Sequence, residues 1–267
     1  MQDTLGDRMK AHEAVETGRR LDPRMPIYAR IDGRGFSKFT KGMRKPFDER
    51  MSRAMVDAAT MVMERTHARV AYTQSDEISL VWETPEEGDA FFGGKPHKLN
   101  SVLAGLATAA FTAALLRQED EFARFADRLP HFDCRAFNLP SREEVAEAFL
   151  WRFLDARRNA VSMAARDRFP QSRLQGVSSR AALGMLSEDG VDFASLPEAF
   201  RLGTFLTRTE VTRALTAEDN LHLPERLRPP PGTLVVRERV QEVHLDLARH
   251  PDPAGFLLGA SEGAIAA

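Results

Sequence analysis

Apolar residues along the chain recur in two rhythms, every second position in short runs and every third or fourth position in longer ones. The run PIYARI (26–31) alternates like a half-buried strand and stops at Asp32-Gly33. Upstream, residues 4–20 predict an amphipathic helix that ends before Asp22-Pro23. Residues 48–66, rich in Met and Ala, predict a second helix. ARVAYTQ (68–74) and ISLVW (78–82) read as two strands joined by the tight polar tip Ser75-Asp76-Glu77, which is a hairpin pattern. An alanine-rich helix follows at 97–117, and FDCRAFN (132–138) reads as another strand, closed by Pro140. Ser141 then serves as an N-cap, with Glu144 completing a capping box, to start a further helix.

The order strand, helix, hairpin, helix, strand is that of the ferredoxin-like βαββαβ unit, so the expected fold class is α+β. The Pro/Gly-rich stretch 228–232 precedes one more strand-like run at 233–236. Three regions follow: a core over 1–140, a helical and strand region over 141–228, and a C-terminal extension over 229–267.

Composition narrows the picture modestly. Net charge is −2, so a nucleic-acid partner requires a local basic patch rather than a basic protein. The one cysteine, Cys134, excludes an internal disulfide framework and any multi-cysteine zinc site, as expected for a reducing cytoplasm. The opening MQDTLGDRMKAHEAVE is charged and shows no signal-peptide pattern. SVLAGLATAAFTAALL (101–116) is short for a membrane span and contains threonines, so it reads as a buried helix with no membrane role.

Chemistry concentrates at two places. In a ferredoxin-like sheet the first strand lies centrally, and its end and the hairpin tip meet at one edge. That brings Asp32 and Asp76 together, although they are far apart in sequence. Two converging carboxylates repel unless a proton or a cation sits between them. Mg²⁺ takes few protein oxygens and leaves room for phosphates, and a pair of such ions is the usual apparatus of nucleotidyl transfer. Gly33 would let its carbonyl turn toward a metal. The competing reading is plain: Asp-Gly at a strand end is a turn, and Ser-Asp-Glu is an ordinary hairpin tip.

Basic residues sharpen the choice. Residues 30–53 hold eight Lys/Arg against three acids, and residues 152–173 hold six arginines against two aspartates. Cations and free N–H groups after a glycine-rich turn suit a triphosphate. The second cluster, remote on a helix, suits a nucleic-acid backbone. Each also reads as a solvated face. Cys134 reads as a packing residue, and His97 and His131 as structural or solvated.

RIDGRGFSKFTKG (30–42), KPFD (45–48), QSDEISLVW (74–82), HKLNSVLAG (97–105), HFDCRAFNLP (131–140), LWRFLDARRN (150–159) and RLGTFLTR (201–208) occur in one order. In that order they resemble the tRNA-His guanylyltransferase family, including its bacterial and archaeal guanylyltransferase-like members. The resemblance implies a polymerase palm used in reverse, adding nucleotides in the 3′-5′ direction to a tRNA 5′ end activated by ATP or GTP. It implies Asp32 and Asp76 as ligands of two Mg²⁺ ions, with the Gly33 carbonyl as a third donor and Glu77 as an adjoining catalytic acid. The backbone of Arg34, Gly35 and Phe36 would cradle a triphosphate, with Lys45, Asp48, Ser75 and Lys98 also in contact with the nucleotide. Arg152, Arg157, Arg158 and Asn159 would meet RNA, and a dimer or tetramer is the implied assembly.

Two departures stand out. Eukaryotic members carry HINNLYN where this chain reads RRNAVSM (157–163), keeping only Asn159, and the family's KPND becomes KPFD with Phe47. Both favour templated repair of 5′-truncated tRNA over strict tRNA-His selection. Two other classes remain open on the residues alone. One is another palm-type enzyme such as a nucleotide cyclase. The other is a non-catalytic RNA-binding ferredoxin-like module, which would normally expose aromatics on its central strands.

Overall fold

The computed structural model describes residues 4–83, 91–118, 120–216, 218–221, 224–230 and 232–259. Its sheet contains β1 (Ile27–Gly33), β2 (Val70–Gln74), β3 (Glu77–Trp82), β4 (Phe132–Asn138), β5 (Thr204–Ala214) and β6 (Leu234–Val243) in the order β4-β1-β3-β2-β5-β6. All neighbours are antiparallel. The first four strands therefore form the expected ferredoxin-like unit with β1 and β3 at its centre.

The hairpin β5–β6 extends the sheet beyond β2; the strand-like run at 233–236 begins β6, whereas the long pairing of β6 with β5 was not expected. Only the first residues of β5 are buried. The remainder and most of β6 are exposed and polar, so they carry no period-2 apolar signal. Residues 229–267 thus contribute a strand paired along its whole length with β5.

Helices cover both faces of the sheet. The outlying α1 (Thr4–Thr17) buries no residue, and Leu5, Met9 and Val15 all stay exposed. The amphipathic helix expected there has too few large apolar residues to make a stripe. A single turn, α2 (Phe36–Phe39), follows β1. Then α3 (Glu49–Thr66) and α4 (Pro96–Leu116) pack on the sheet face presented by Ile27, Ala29, Ile31, Ile78 and Leu80. α4 is long and apolar enough to cross a bilayer. It instead buries Leu99, Leu103, Ala107 and Phe111 in this core, as the sequence predicts.

The short α5 (Asp120–Ala123) leads toward β4, after which α6 (Arg142–Arg168) crosses the opposite face. Ser141 caps α6, its hydroxyl accepting the Glu144 N–H at 3.3 Å. Val145, Phe149 and Phe153 of α6 pack on Tyr28, Val70, Tyr72 and Val81. Burying each such ring is worth roughly 1.5–3 kcal/mol, which holds α6 in fixed register over the sheet. The helices α7 (Gln171–Leu174), α8 (Ser179–Glu188) and α9 (Glu198–Leu202) pack around the second half of α6, and α10 (Pro253–Leu258) closes the end of the second core.

Candidate active site

Strand register sets up the site's electrostatics. Asp32 of β1 is paired with Glu77 of β3 on one side and Asp133 of β4 on the other. Residues directly opposite in an antiparallel pair point to the same face, so three acids form a row across the sheet. One step back, Arg30 is paired with Arg135 and Ser79. Like charges opposite one another destabilise a sheet unless compensated. Glu77 receives the Arg152 guanidinium at 2.6 Å and has Arg30 at 3.9 Å, and Asp133 has Arg135 at 3.3 Å. The middle acid, Asp32, has no cation within ion-pair distance among the described residues.

Asp76 adds a second uncompensated acid. Gln74 and Glu77 pair across a two-residue tip, Ser75-Asp76, with Ser75 held at φ 54°. The left-handed region is uncommon for a serine, and residues held there cluster at functional sites. The Ser75 hydroxyl donates to Asp76 Oδ1 at 3.0 Å. The Gly33 N–H donates to the Asp76 carbonyl at 2.9 Å, which ties the end of β1 to the hairpin tip. A Cβ on Gly33 would meet the Phe36 ring at 2.4 Å and Asp76 Cβ at 2.8 Å, so only glycine allows this approach. Burial pushes the Asp76 carboxyl up to about 6, and the charges of Asp32 and Glu77 add to the rise while the Ser75 hydroxyl opposes it. Glu77 also lies above the usual carboxylate range, because burial outweighs the Arg152 and Arg30 partners.

The far wall is α6. Arg152, Asp155, Ala156 and Asn159, at helical spacing i, i+3, i+4 and i+7, share one face and line a cleft of about 210 Å³. Asp32, Tyr72, Gln74, Ser75, Asp76 and Glu77 complete its lining. Arg152 bonds both Glu77 and Asp155, and Asp155 also takes Arg158 at 2.8 Å. Tyr72, Gln74, Asp155 and Ala156 were not anticipated. The helical spacing within LWRFLDARRN was the signal that would have found the last two.

The other expected residues scatter around this centre. Arg34, Gly35 and Phe36 leave the cleft edge as the turn into α2, with Gly35 at φ 69°. The Arg34 N–H is engaged by the His131 carbonyl at 3.0 Å, which leaves Gly35 and Phe36 as the N–H groups at the head of α2. The Phe36 ring is buried against Phe39, Phe111 and Phe132 and anchors the turn. Asp48 lies outside the cleft, buried as the N-cap of α3. Burial would raise its pKa, but hydrogen bonds from the Arg50 guanidinium and the Arg44 and Arg50 N–H groups hold it below the usual range. Its carboxylate is therefore saturated by protein.

Lys45 is exposed, Phe47 stacks on Phe200 at 4.4 Å, and the Lys98 ammonium lies 5.1 Å from the Phe92 ring centroid. Arg152, expected on an RNA-facing surface, is instead turned into the cleft with 12% of its side chain exposed. Arg157 meets Asp246 at 3.2 Å. Cys134 is buried and its thiol is pushed up to about 12 by that burial, in keeping with a packing role. Both faces of the central strands are covered, so the sheet offers no aromatic platform of the kind an RNA-binding ferredoxin-like module uses.

The donor set fits a hard divalent cation that takes few protein ligands. Asp32 and Asp76 supply unpaired carboxylates, and the Gly33 backbone lies against Asp76 where a side chain is excluded. Glu77 is oriented toward Arg152, and among the described residues no group of three acids, histidines or cysteines is arranged to enclose an ion without further ligands. The remaining coordination positions are left for phosphate and water.

Comparison with known proteins places this geometry. The family model tRNAHis guanylyltransferase matches residues 6–140. The tRNA(His) guanylyltransferase of Schizosaccharomyces pombe is 30% identical over 224 residues, covering 78% of this chain and 84% of that protein. Among solved structures, a bacterial tRNA(His) guanylyltransferase-like protein in complex with ATP superposes with TM-score 0.70 and 32% identity, covering 77% of this chain and 87% of that one. A bacterial guanylyltransferase-like protein in complex with GTP gives TM-score 0.66 and 28% identity, covering 91% of each chain.

Proposed function

The chain belongs to the tRNAHis guanylyltransferase family, and from that premise we propose that its cleft adds nucleotides to the 5′ end of tRNA. It is a nucleotidyltransferase. The observation that carries the site assignment is the pair of acids, Asp32 and Asp76, without cationic partners among the described residues in a cleft where Glu77 and Asp155 are both ion-paired.

In this reading Asp32, Asp76 and the Gly33 carbonyl hold Mg²⁺, which when bound supplies Lewis-acid stabilisation of phosphate charge and eases deprotonation of the attacking hydroxyl. Ser75 orients Asp76 through its hydroxyl. Glu77, fixed by Arg152 and Arg30, keeps α6 docked over the site and contributes negative charge beside the two ligands. The N–H groups of Gly35 and Phe36, with Arg34, Lys45 and Lys98, take the triphosphate of ATP or GTP. Asp48 acts at the nucleotide by fixing the Arg44–Arg50 backbone, since its own oxygens are occupied. Asn159, on the cleft wall, faces the RNA end. The reaction joins the 3′-hydroxyl of an incoming nucleotide to the activated 5′ phosphate, with pyrophosphate or a nucleoside monophosphate leaving.

The substrate we favour is a tRNA lacking its 5′ nucleotides, repaired by templated addition. RRNAVSM replaces the tRNA-His-selective stretch, and Phe47 packs on Phe200 rather than presenting a polar group. Exposed Leu5, Met9 and Val15 on α1, with Val211 and Val236 on the β5–β6 arm, support a homo-oligomer, a dimer or tetramer; the cytoplasm is the compartment this reading assigns.

The test is label transfer from GTP, with ATP and Mg²⁺, to tRNA-His and to tRNA transcripts shortened at the 5′ end. Addition restoring a full acceptor stem is expected on the shortened tRNAs regardless of identity. No incorporation on any tRNA would overturn the reading, and incorporation confined to tRNA-His would overturn the repair assignment.

A further inference from the structure

The eight cations of residues 30–53 divide sharply in the folded chain. Arg30 neighbours Glu77, Arg50 holds Asp48, and Arg53 is bonded to Asp57 and Glu242. Arg34, Lys38, Lys41, Arg44 and Lys45 are exposed and have no carboxylate within ion-pair distance among the described residues. They lie on one segment that begins at the acid pair. On α6, by contrast, Arg142, Arg152, Arg157, Arg158 and Arg168 each pair with an aspartate or glutamate, and only Arg166 has no ion pair among the described residues.

The segment is also built to stay in place. Phe36, Phe39 and Met43 are buried in the core and act as pegs between the exposed cations. The Arg128 guanidinium donates to the carbonyls of both Phe39 and Lys41 and lies 4.5 Å from the Phe125 ring centroid. The Thr40 hydroxyl donates to the Phe36 carbonyl at 2.8 Å.

We infer that Lys38, Lys41 and Arg44 form the track on which the tRNA sugar–phosphate backbone lies as its 5′ end enters the cleft. This rests on the tRNA reading above and adds the surface that the polyanion uses. A protein of net charge −2 offers RNA no general attraction, so a local patch must supply it. Cations already neutralised by neighbouring acids release no phosphate counterions when RNA arrives. The unpaired ones do. The pegged backbone presents them at little ordering cost.

The test measures tRNA binding by fluorescence anisotropy over a range of KCl, without nucleotide, for wild type, K38Q/K41Q/R44Q and R168Q. The triple variant is expected to lose about tenfold or more in tRNA affinity, with the slope of log K against log salt shallower by about 2–3, at roughly 0.7–0.9 per phosphate contact. R168Q is expected to keep the wild-type slope. GTP affinity of the triple variant should stay within about twofold of wild type, since these side chains are assigned to RNA backbone contacts. Each single variant, with a melting curve that checks the fold, should account for about one unit of slope. An unchanged slope in the triple variant would overturn the track while leaving tRNA addition by wild type intact. A parallel loss of GTP binding would reassign the cations to the triphosphate. Wild type that binds no tRNA would overturn both the track and the family-based reading beneath it.

Discussion

The turn from β1 into α2 and the middle of α6 look alike as sequence, each an arginine-rich run with an acid inside it, but the fold treats their charges in opposite ways. Around the β1 end and the hairpin tip, both signs are left open among the described residues: Asp32 and Asp76 have no cation within ion-pair distance, and Arg34, Lys38, Lys41, Arg44 and Lys45 have no acid. On α6 the charges are tied together, Arg152 to Glu77 and Asp155, Arg158 to Asp155, Arg157 to Asp246. The contrast separates two uses of charge. Paired groups fix one helix over the sheet, whereas unpaired groups of both signs suit a ligand that carries both signs itself, as the proposed phosphate with its metal would.

That contrast breaks most visibly at the acids. Asp32→Asn and Asp76→Asn should each lower nucleotide addition by at least about 10²–10³-fold, the scale of losing one electrostatic stabiliser of the transition state. Single-turnover label transfer measures it, and full activity in either variant would undo the assignment. Next in size is Arg152→Met, which strands Glu77 in a half-closed cleft. Urea denaturation should show a loss of about 2–3 kcal/mol, somewhat under the range for a fully buried pair because the cleft is open to water.

Asp76 should behave in the reverse sense for stability. Its folded-state pKa of about 6 lies above the ordinary 3.8, so the stabilising effect of protonation is complete below about pH 4 and is lost as pH rises through 6. Without divalent cation, Asp76→Asn should therefore exceed wild type by about 1 kcal/mol at pH 7, discounted for solvent screening, with the gap closing toward pH 4. Thermal melts in EDTA across that range check the sign, and Mg²⁺ should restore the wild type. The smallest effect belongs to the exposed pair Arg168–Asp189, where Arg168→Gln should change stability by less than about 0.5 kcal/mol.

Much of this arrangement was legible in the residues. The alternation of PIYARI and ISLVW fixes β1 and β3, and the order of elements places Asp32 and Asp76 at one edge. What escaped was where side-chain charge ends up. The helical spacing in 152–159 groups Arg152, Asp155, Ala156 and Asn159 on one face, but that this face turns inward depends on Phe149 and Phe153 seating α6 on Tyr28 and Tyr72. The resemblance offers Asp48 only as a nucleotide contact, and its role as a cap emerges once Arg44 and Arg50 are seen around it. β5 and the length of β6 beyond the strand-like run at 233–236 escaped for a different reason: they pair mainly with each other, and their exposed faces carry no apolar rhythm.

The central claim is that the unpaired acids, and not the paired ones, hold the divalent cation. Mn²⁺ titration with GTP present, followed by the loss of the free-ion EPR signal, tests it directly. Tight Mn²⁺ uptake by wild type, lost in Asp32→Asn and Asp76→Asn and retained in Glu77→Gln, is the predicted result. Wild-type uptake in both aspartate variants, or loss confined to Glu77→Gln, would contradict it.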